Sequence, residues 1–223
     1  MHDLDQAIRE RRSVRGFLPK PVPRDLLEEV LGLAQHAPSN CNVQPWRVYV
    51  ASEDTLEKLR TALVRKVTTG SSPVMVTPID EFVGGYREKQ VACAVELYRE
   101  MGIQRDDRAG RLNASLRNFQ FFDAPHVAYI CMAKSFGIGV ALDVGMYVQT
   151  LMLAMQSRGL SSCAQAALRS YPELVAEHLG IPDEEQILCG LSFGYEDPSV
   201  PANNVRQPRD PISSNVFFRG DSG

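Results

Sequence analysis

The sequence predicts an α+β fold, and three observations carry that prediction. Segments with apolar residues at helical spacing recur from the start of the chain to about residue 180. Three others, WRVYVAS (46–52), HVAYICMA (126–133) and QILCGLSFGY (186–195), read as strands. Neither an internal repeat nor a linker divides the 223 residues, so 1–223 is expected to be one domain able to bury a sizeable core.

Leu4, Ala7 and Ile8 follow the i, i+3, i+4 rule and predict a first helix to about Arg11. A turn rich in proline (Pro19, Pro21, Pro23) leads to a second helix over 24–36, with Leu27, Val30, Leu31 and Ala34 on one face. Pro38 ends it, and PSNCNVQP (38–45) is a loop before the first strand. Ser52 is placed to cap a helix over 53–66. Residues 68–85 read as irregular. Two amphipathic helices then span 86–101 and 106–121, joined at Gly102, and make a helical excursion over about 68–121. Pro125 precedes the buried strand 126–133, and a long apolar helix over 138–158 closes at Gly159. LSSCAQAAL (160–168) is a loop or short strand, and Pro172–Leu179 is a short helix stopped by Gly180. After the last strand a tail with Pro198, Pro201, Pro208 and Pro211 is either disordered or laid along another surface.

The composition excludes several classes. With 24 Lys+Arg against 27 Asp+Glu, the net charge of -3 argues against a nucleic-acid partner. Five scattered cysteines without CxxC spacing read as reduced thiols, and the charged start, MHDLDQAIRERR, does not suit a signal peptide; both point to the cytoplasm. The apolar run 138–156 is interrupted by Asp143, Gln149 and Gln156, so it reads as a core helix, extended into a subunit interface, rather than a membrane span. GLSFG (190–194) matches the serine-hydrolase elbow, but YEDPSVP follows it where a helix is needed, and no histidine comes later. GIGVAL (137–142) has Leu142 at the third glycine position of a dinucleotide fingerprint. The four histidines form no ligand pattern, so no metal is expected.

The stretch RERRSVRGF (9–17) gathers four arginines in an acidic chain. If it is extended beyond the first helix, Arg11, Ser13 and Arg15 share one side while Arg12 and Val14 face the other. Two guanidinium groups and a hydroxyl on one side suit a phosphate monoester. On charge alone, a solvated basic turn explains the cluster equally well.

RRSVRGF, with APSNCNVQPWRVYV some twenty residues on, resembles the FMN-dependent nitroreductase family, as do the apolar central helix, GLSSCAQAAL and the tail NNVRQPRDP (203–211). The resemblance covers essentially the whole chain. It implies a mainly antiparallel central sheet flanked by helices, a long central helix and an extended C-terminal tail. It further implies a homodimer with FMN at the subunit interface, reduced by NADPH or NADH and reoxidised by a nitroaromatic or quinone substrate.

The same resemblance implies roles by position. Arg11 and Ser13 would hold the FMN phosphate and ribityl chain with Arg12 beside them, and Arg206 and Arg209 would close on the phosphate from the tail. Arg15 would stand at the N1/O2 edge of the ring, where reduction leaves negative charge. Pro38, Ser39, Asn40 and Asn42 would reach the flavin from the partner subunit; Asx-turns in a polar loop are the alternative reading. Backbone amides at Gln165 and Ala166 would face N5 and O4, although relatives carry proline or glycine in this loop. Beside them, Cys163 is a redox thiol or a small buried residue. No side chain is expected to act as a catalytic acid, base or nucleophile, since the chemistry belongs to the flavin. Tyr86, Phe119 and Phe122 are candidate substrate residues, against a plain core role for the two phenylalanines. Arg87, Lys89 and Arg117 are candidates for a substrate carboxylate, against a reading as solvated helix residues. A reductive dehalogenase, a flavin-fragmenting enzyme and a non-catalytic FMN-binding protein remain alternatives on the same cofactor site.

Overall fold

The computed structural model describes residues 3–70, 73 and 82–220. Most of the stretch expected to be irregular, 68–85, lies outside the described residues, and with it the beginning of the excursion. The elements in chain order are α1 (Leu4–Glu10), α2 (Arg24–Ala34), β1 (Arg47–Ser52), α3 (Glu53–Thr68), α4 (Gly84–Glu100), α5 (Arg108–Leu116), β2 (His126–Ala133), α6 (Ile138–Gln156), β3 (Ser161–Gln165), α7 (Pro172–Leu179) and β4 (Glu185–Gly194).

The four strands form one sheet in the order β1-β2-β4-β3, and every pairing between them is antiparallel. The mixed α+β class and the antiparallel sheet are therefore as the resemblance implied. β2 is buried on both faces, which explains its unbroken apolar run. Its odd-numbered residues Val127, Tyr129 and Cys131 pack with Leu56, Leu59 and Leu63 of α3 and Val175 of α7. Its even-numbered residues Ala128, Ile130 and Met132 pack with Leu27 and Val30 of α2 and with Val144, Tyr147 and Leu151 of α6. Two helical layers thus sandwich the sheet. α6, the one helix among the described residues long and apolar enough to cross a membrane, lies in the second layer and buries Val144, Tyr147, Val148 and Leu151 there.

Several local expectations are corrected. Ser52 precedes α3 but makes no capping bond; its hydroxyl instead bonds Nδ1 of His126. α4 is not amphipathic within this chain: none of its residues is buried, and Tyr86 and Val95 are 71% and 61% exposed. α5 stops at Leu116 rather than 121. Beyond it, Phe121, Phe122 and Asp123 take left-handed backbone angles in succession (φ 56, 54 and 63°). Such angles cost roughly 1–2 kcal/mol per L-residue, so something must hold them. Arg60 supplies part of that hold: its guanidinium donates to the carbonyls of Gln120 (3.1 Å) and Ala124 (3.0 Å). Phe17 N–H donates to the Phe122 carbonyl at 3.2 Å and adds a second anchor. The tail is laid along the body, with Ala202, Asn203 and Val205 buried.

His126 is structural. Val22 N–H donates to its Nε2 at 2.9 Å, and the ring stacks on Phe193. An accepting Nε2 requires the neutral ring with the proton on Nδ1, and burial lowers the pKa below its ordinary value of about 6.5. The unfolded chain therefore takes up a proton at higher pH than the folded one. This contribution to stability is complete above about pH 6.5 and is lost as pH falls below it, with a slope of at most about 1.4 kcal/mol per unit. Thermal unfolding scanned from pH 8 to 5 should show this decline, and His126→Gln should flatten it. Equal slopes in the two proteins would contradict the assignment.

Candidate functional site

The segment leaving α1 is extended, as its alternation predicts. Val14 N–H donates to the Ser162 carbonyl at 3.1 Å, Ser13 bridges Ser162 on the outer edge of β3, and Leu18 N–H donates to Tyr195 at 2.9 Å. Val14 enters the core. The Arg12 guanidinium pairs with Glu196. Arg11, Ser13 and Arg15 are left beside the buried Cys163 thiol. Burial dominates there and pushes that thiol's pKa up, which makes a redox role for Cys163 unfavourable and supports its reading as a small buried residue.

The tail returns to the same place. Arg206 and Arg209 join Arg9, Arg11, Arg12 and Arg15 around a cavity of about 950 Å³, six arginines against one lining carboxylate, Glu10. Among the described residues, Arg11, Arg15, Arg206 and Arg209 form no ion pair with a carboxylate. Arg206 donates to the carbonyls of Asn203 and Val205, and Arg209 to those of Gln207 and Pro208. The Arg11 pKa is lowered, first by burial and then by the nearby Arg209 guanidinium. Two cations held this close repel each other, and an anion between them would reverse that term. A further donor points the same way: Gln207 Nε2, on a residue lining the cavity, is buried without a hydrogen-bond partner among the described residues. Buried donors are rarely left unpaired. The donor set therefore fits a phosphate monoester.

Asn203 ties this cavity together. Its Oδ1 accepts from Arg15 N–H at 2.7 Å, and its amide donates to the carbonyls of Gly16 and Asp197, both at 2.9 Å. Its own carbonyl accepts from Arg206 at 2.8 Å and, at 3.4 Å, from Arg12.

Residues 38–44 lie elsewhere. Asn40 N–H donates to Asp143 Oδ2 at 3.0 Å near the start of α6, whereas Gln156, at the end of α6, lines the arginine cavity. Thirteen helical residues separate those points by about 20 Å. The loop is internally fixed: Ser39 Oγ accepts from Gln44 N–H, and Cys41, Asn42 and Gln44 adopt positive φ. Pro38, Asn40 and Asn42 are exposed. At the carboxyl end of β3, the Gln165 side chain is buried. It donates to the Asn118 carbonyl (3.0 Å) and accepts from Ser192 Oγ, while Ala166 is exposed.

The candidate substrate residues separate. Tyr86 is exposed on α4, and Phe119 packs on Tyr171 in the core with ring centroids 5.8 Å apart. Phe122 lines a smaller cavity of about 250 Å³ together with Arg15 and Arg117. Lys89 pairs with Asp210 at the surface, and Arg87 is exposed.

Residues 8–195 match the model of the nitroreductase family. The chain is 35% identical over 219 residues to 4-nitrobenzoate reductase of Pseudomonas putida, covering 98% of this chain and 96% of that protein. The chain belongs to the nitroreductase family. It is also 39% identical over 225 residues to nitroreductase NfnB of Mycolicibacterium smegmatis, covering 97% of this chain and 94% of that one. The crystal structure of the FMN-dependent NfnB from Mycobacterium smegmatis in complex with NADPH superposes with a TM-score of 0.92 at 37% identity, covering 97% of this chain and all of that one.

In this nitroreductase, Arg11, Arg12, Ser13, Arg15, Arg206 and Arg209 line one cavity. Arg9, Gln207 and Asn203 share that region and were not singled out. Arg9 was visible in the cluster, but its neighbours gave no reason to choose it. Asn203 could only be found from contacts spanning almost the full chain.

Proposed function

We propose that this nitroreductase binds FMN in the arginine cavity and uses electrons from NADPH or NADH to reduce nitroaromatic compounds, with quinones as a second acceptor class. The observation that carries the reading is the cavity itself, where four arginines have no carboxylate partner and one buried amide no hydrogen-bond partner among the described residues. FMN bound there would supply the two-electron chemistry, taking hydride from the nicotinamide in one half-reaction and giving electrons to the acceptor in the next.

The protein's part is to hold and to bias. Arg11, Ser13, Arg206 and Arg209, with Gln207, hold the phosphate and ribityl chain through charge-assisted bonds. Arg12 acts at one remove, since its charge is already matched by Glu196. Arg15 would supply a fixed cation beside the ring and favour the reduced, more negative form. Backbone amides at Gln165 and Ala166 would face the other side of the ring, and the buried Gln165 side chain fixes that backbone.

Pro38, Ser39, Asn40 and Asn42 serve the cavity of a second subunit, since about 20 Å of helix separates them from their own. A homodimer is also supported by apolar surface on α1 and α6, where Leu4 is 65% exposed and Ile138 89%. Residues 1–223 act as one FMN-binding unit, and the five free cysteines suit the reducing cytoplasm.

The test is spectroscopic. Purified protein reconstituted with FMN should retain the blue and near-ultraviolet bands after desalting. Anaerobic NADPH or NADH should bleach them, and 4-nitrobenzoate, nitrobenzene or a quinone should restore them. Protein that holds no flavin, or holds it without bleaching, would overturn the proposal.

A further inference from the structure

The 250 Å³ cavity beside Arg15 has features the cofactor reading does not use. Arg15, Arg117 and Asn118 line it together with the apolar Leu97, Met101, Ala114 and Phe122. A flat ring carrying one negative group matches this pairing of aromatic wall and cations. An engineered protein cavity of about 150 Å³ suffices for benzene, so a ring with a carboxylate fits the space.

Backbone strain singles out the same place. The left-handed run Phe121–Asp123 brings Phe122 to this cavity, and its anchors include Phe122 N–H donating to the Arg117 carbonyl at 3.0 Å. Three successive non-glycine residues in this conformation persist only when the surroundings impose it, and such runs cluster at ligand sites.

Arg117 has capacity to spare. One terminal nitrogen donates to Asp123 at 2.6 Å and the other to the Arg15 carbonyl at 3.3 Å, which leaves the remaining donors of its five-donor fork. Asp123 is 58% exposed, so water screens its pairing with Arg117.

We propose that this cavity receives the carboxylate-bearing ring of an aromatic acid, with Arg117 as the residue that sets the preference for acidic over neutral nitroaromatics. The inference rests on the reductase reading above. Arg15 lines both cavities, so a ring seated here adjoins the proposed cofactor site.

The test compares kcat/KM for 4-nitrobenzoate and nitrobenzene in the FMN-loaded wild type and in Arg117→Gln. The ratio of the two should fall about thirtyfold in the variant, chiefly through KM for the acid, because one charge-assisted pair is removed from one substrate only. Arg117→Lys, which keeps the charge and loses the fork, should recover part of the ratio. Calorimetric titration with benzoate gives a readout free of turnover: wild type should bind it, Arg117→Gln should bind it at least tenfold more weakly, and Asp123→Asn should bind it more tightly. An unchanged ratio, or equal benzoate affinity in wild type and Arg117→Gln, would overturn the proposal. Wild type that reduces neither nitro compound would sink the reductase reading instead, and the benzoate titration would still decide the cavity.

Discussion

Arg206→Ala combined with Arg209→Ala is expected to weaken FMN binding about a hundredfold while leaving riboflavin affinity within about twofold. Each charge-assisted bond to a phosphate contributes roughly 1.5–3 kcal/mol, which for two comes to about two to four orders of magnitude. Both arginines are exposed, and screening trims the figure to about two orders. Riboflavin supplies the control because it lacks the phosphate. Flavin fluorescence titration of both ligands measures the two constants directly. Equal losses for the two flavins would mean that the tail acts on the fold rather than on the anion, and no loss for either would remove the tail from the site. Raising the salt concentration should narrow the gap between wild type and variant, since the missing term is electrostatic.

The parts of this design that were legible in the sequence share a physical character: they are local. β2 is buried on both faces, so its apolar run marked it to the residue. α7 was bounded by Pro172 at its first turn and by Gly180, whose φ of 65° suits glycine. The alternation after α1 separated Val14 from Arg11, Ser13 and Arg15 because extended chain has a period of two. What stayed hidden depends on distant partners. Nothing in FFD (121–123) announces left-handed backbone; Arg60, some sixty residues earlier in the chain, and Phe17 help to hold it. Ser52 has the sequence context of a helix cap, but His126 competes for its hydroxyl across the β1–β2 pairing. α4 read as amphipathic because it carries apolar residues, yet none of them is buried in this chain.

Asn203→Leu should have the largest effect of any single substitution in the tail, because one side chain satisfies three backbone groups at once. Leucine is close in volume, so the change tests hydrogen bonding rather than space. It leaves Arg15 N–H and the carbonyls of Gly16 and Asp197 without their partner. A buried group stripped of its partner costs about 1–3 kcal/mol, so a total loss of about 3 kcal/mol or more is expected. That loss should appear as a lower midpoint in denaturant at unchanged slope. The consequence for the site goes further. Gly16 and Arg15 belong to the N-terminal segment and Asp197 to the chain after β4, so the amide joins the two halves of the arginine cavity. Arg206, which donates to the Asn203 carbonyl, would lose its fixed position along with the side chain's anchor. FMN should therefore dissociate faster from Asn203→Leu, and limited trypsin digestion should cut after Arg206 or Arg209 sooner than in wild type. If the variant unfolds at the wild-type denaturant concentration and keeps its flavin equally long, Asn203 does not join the two segments.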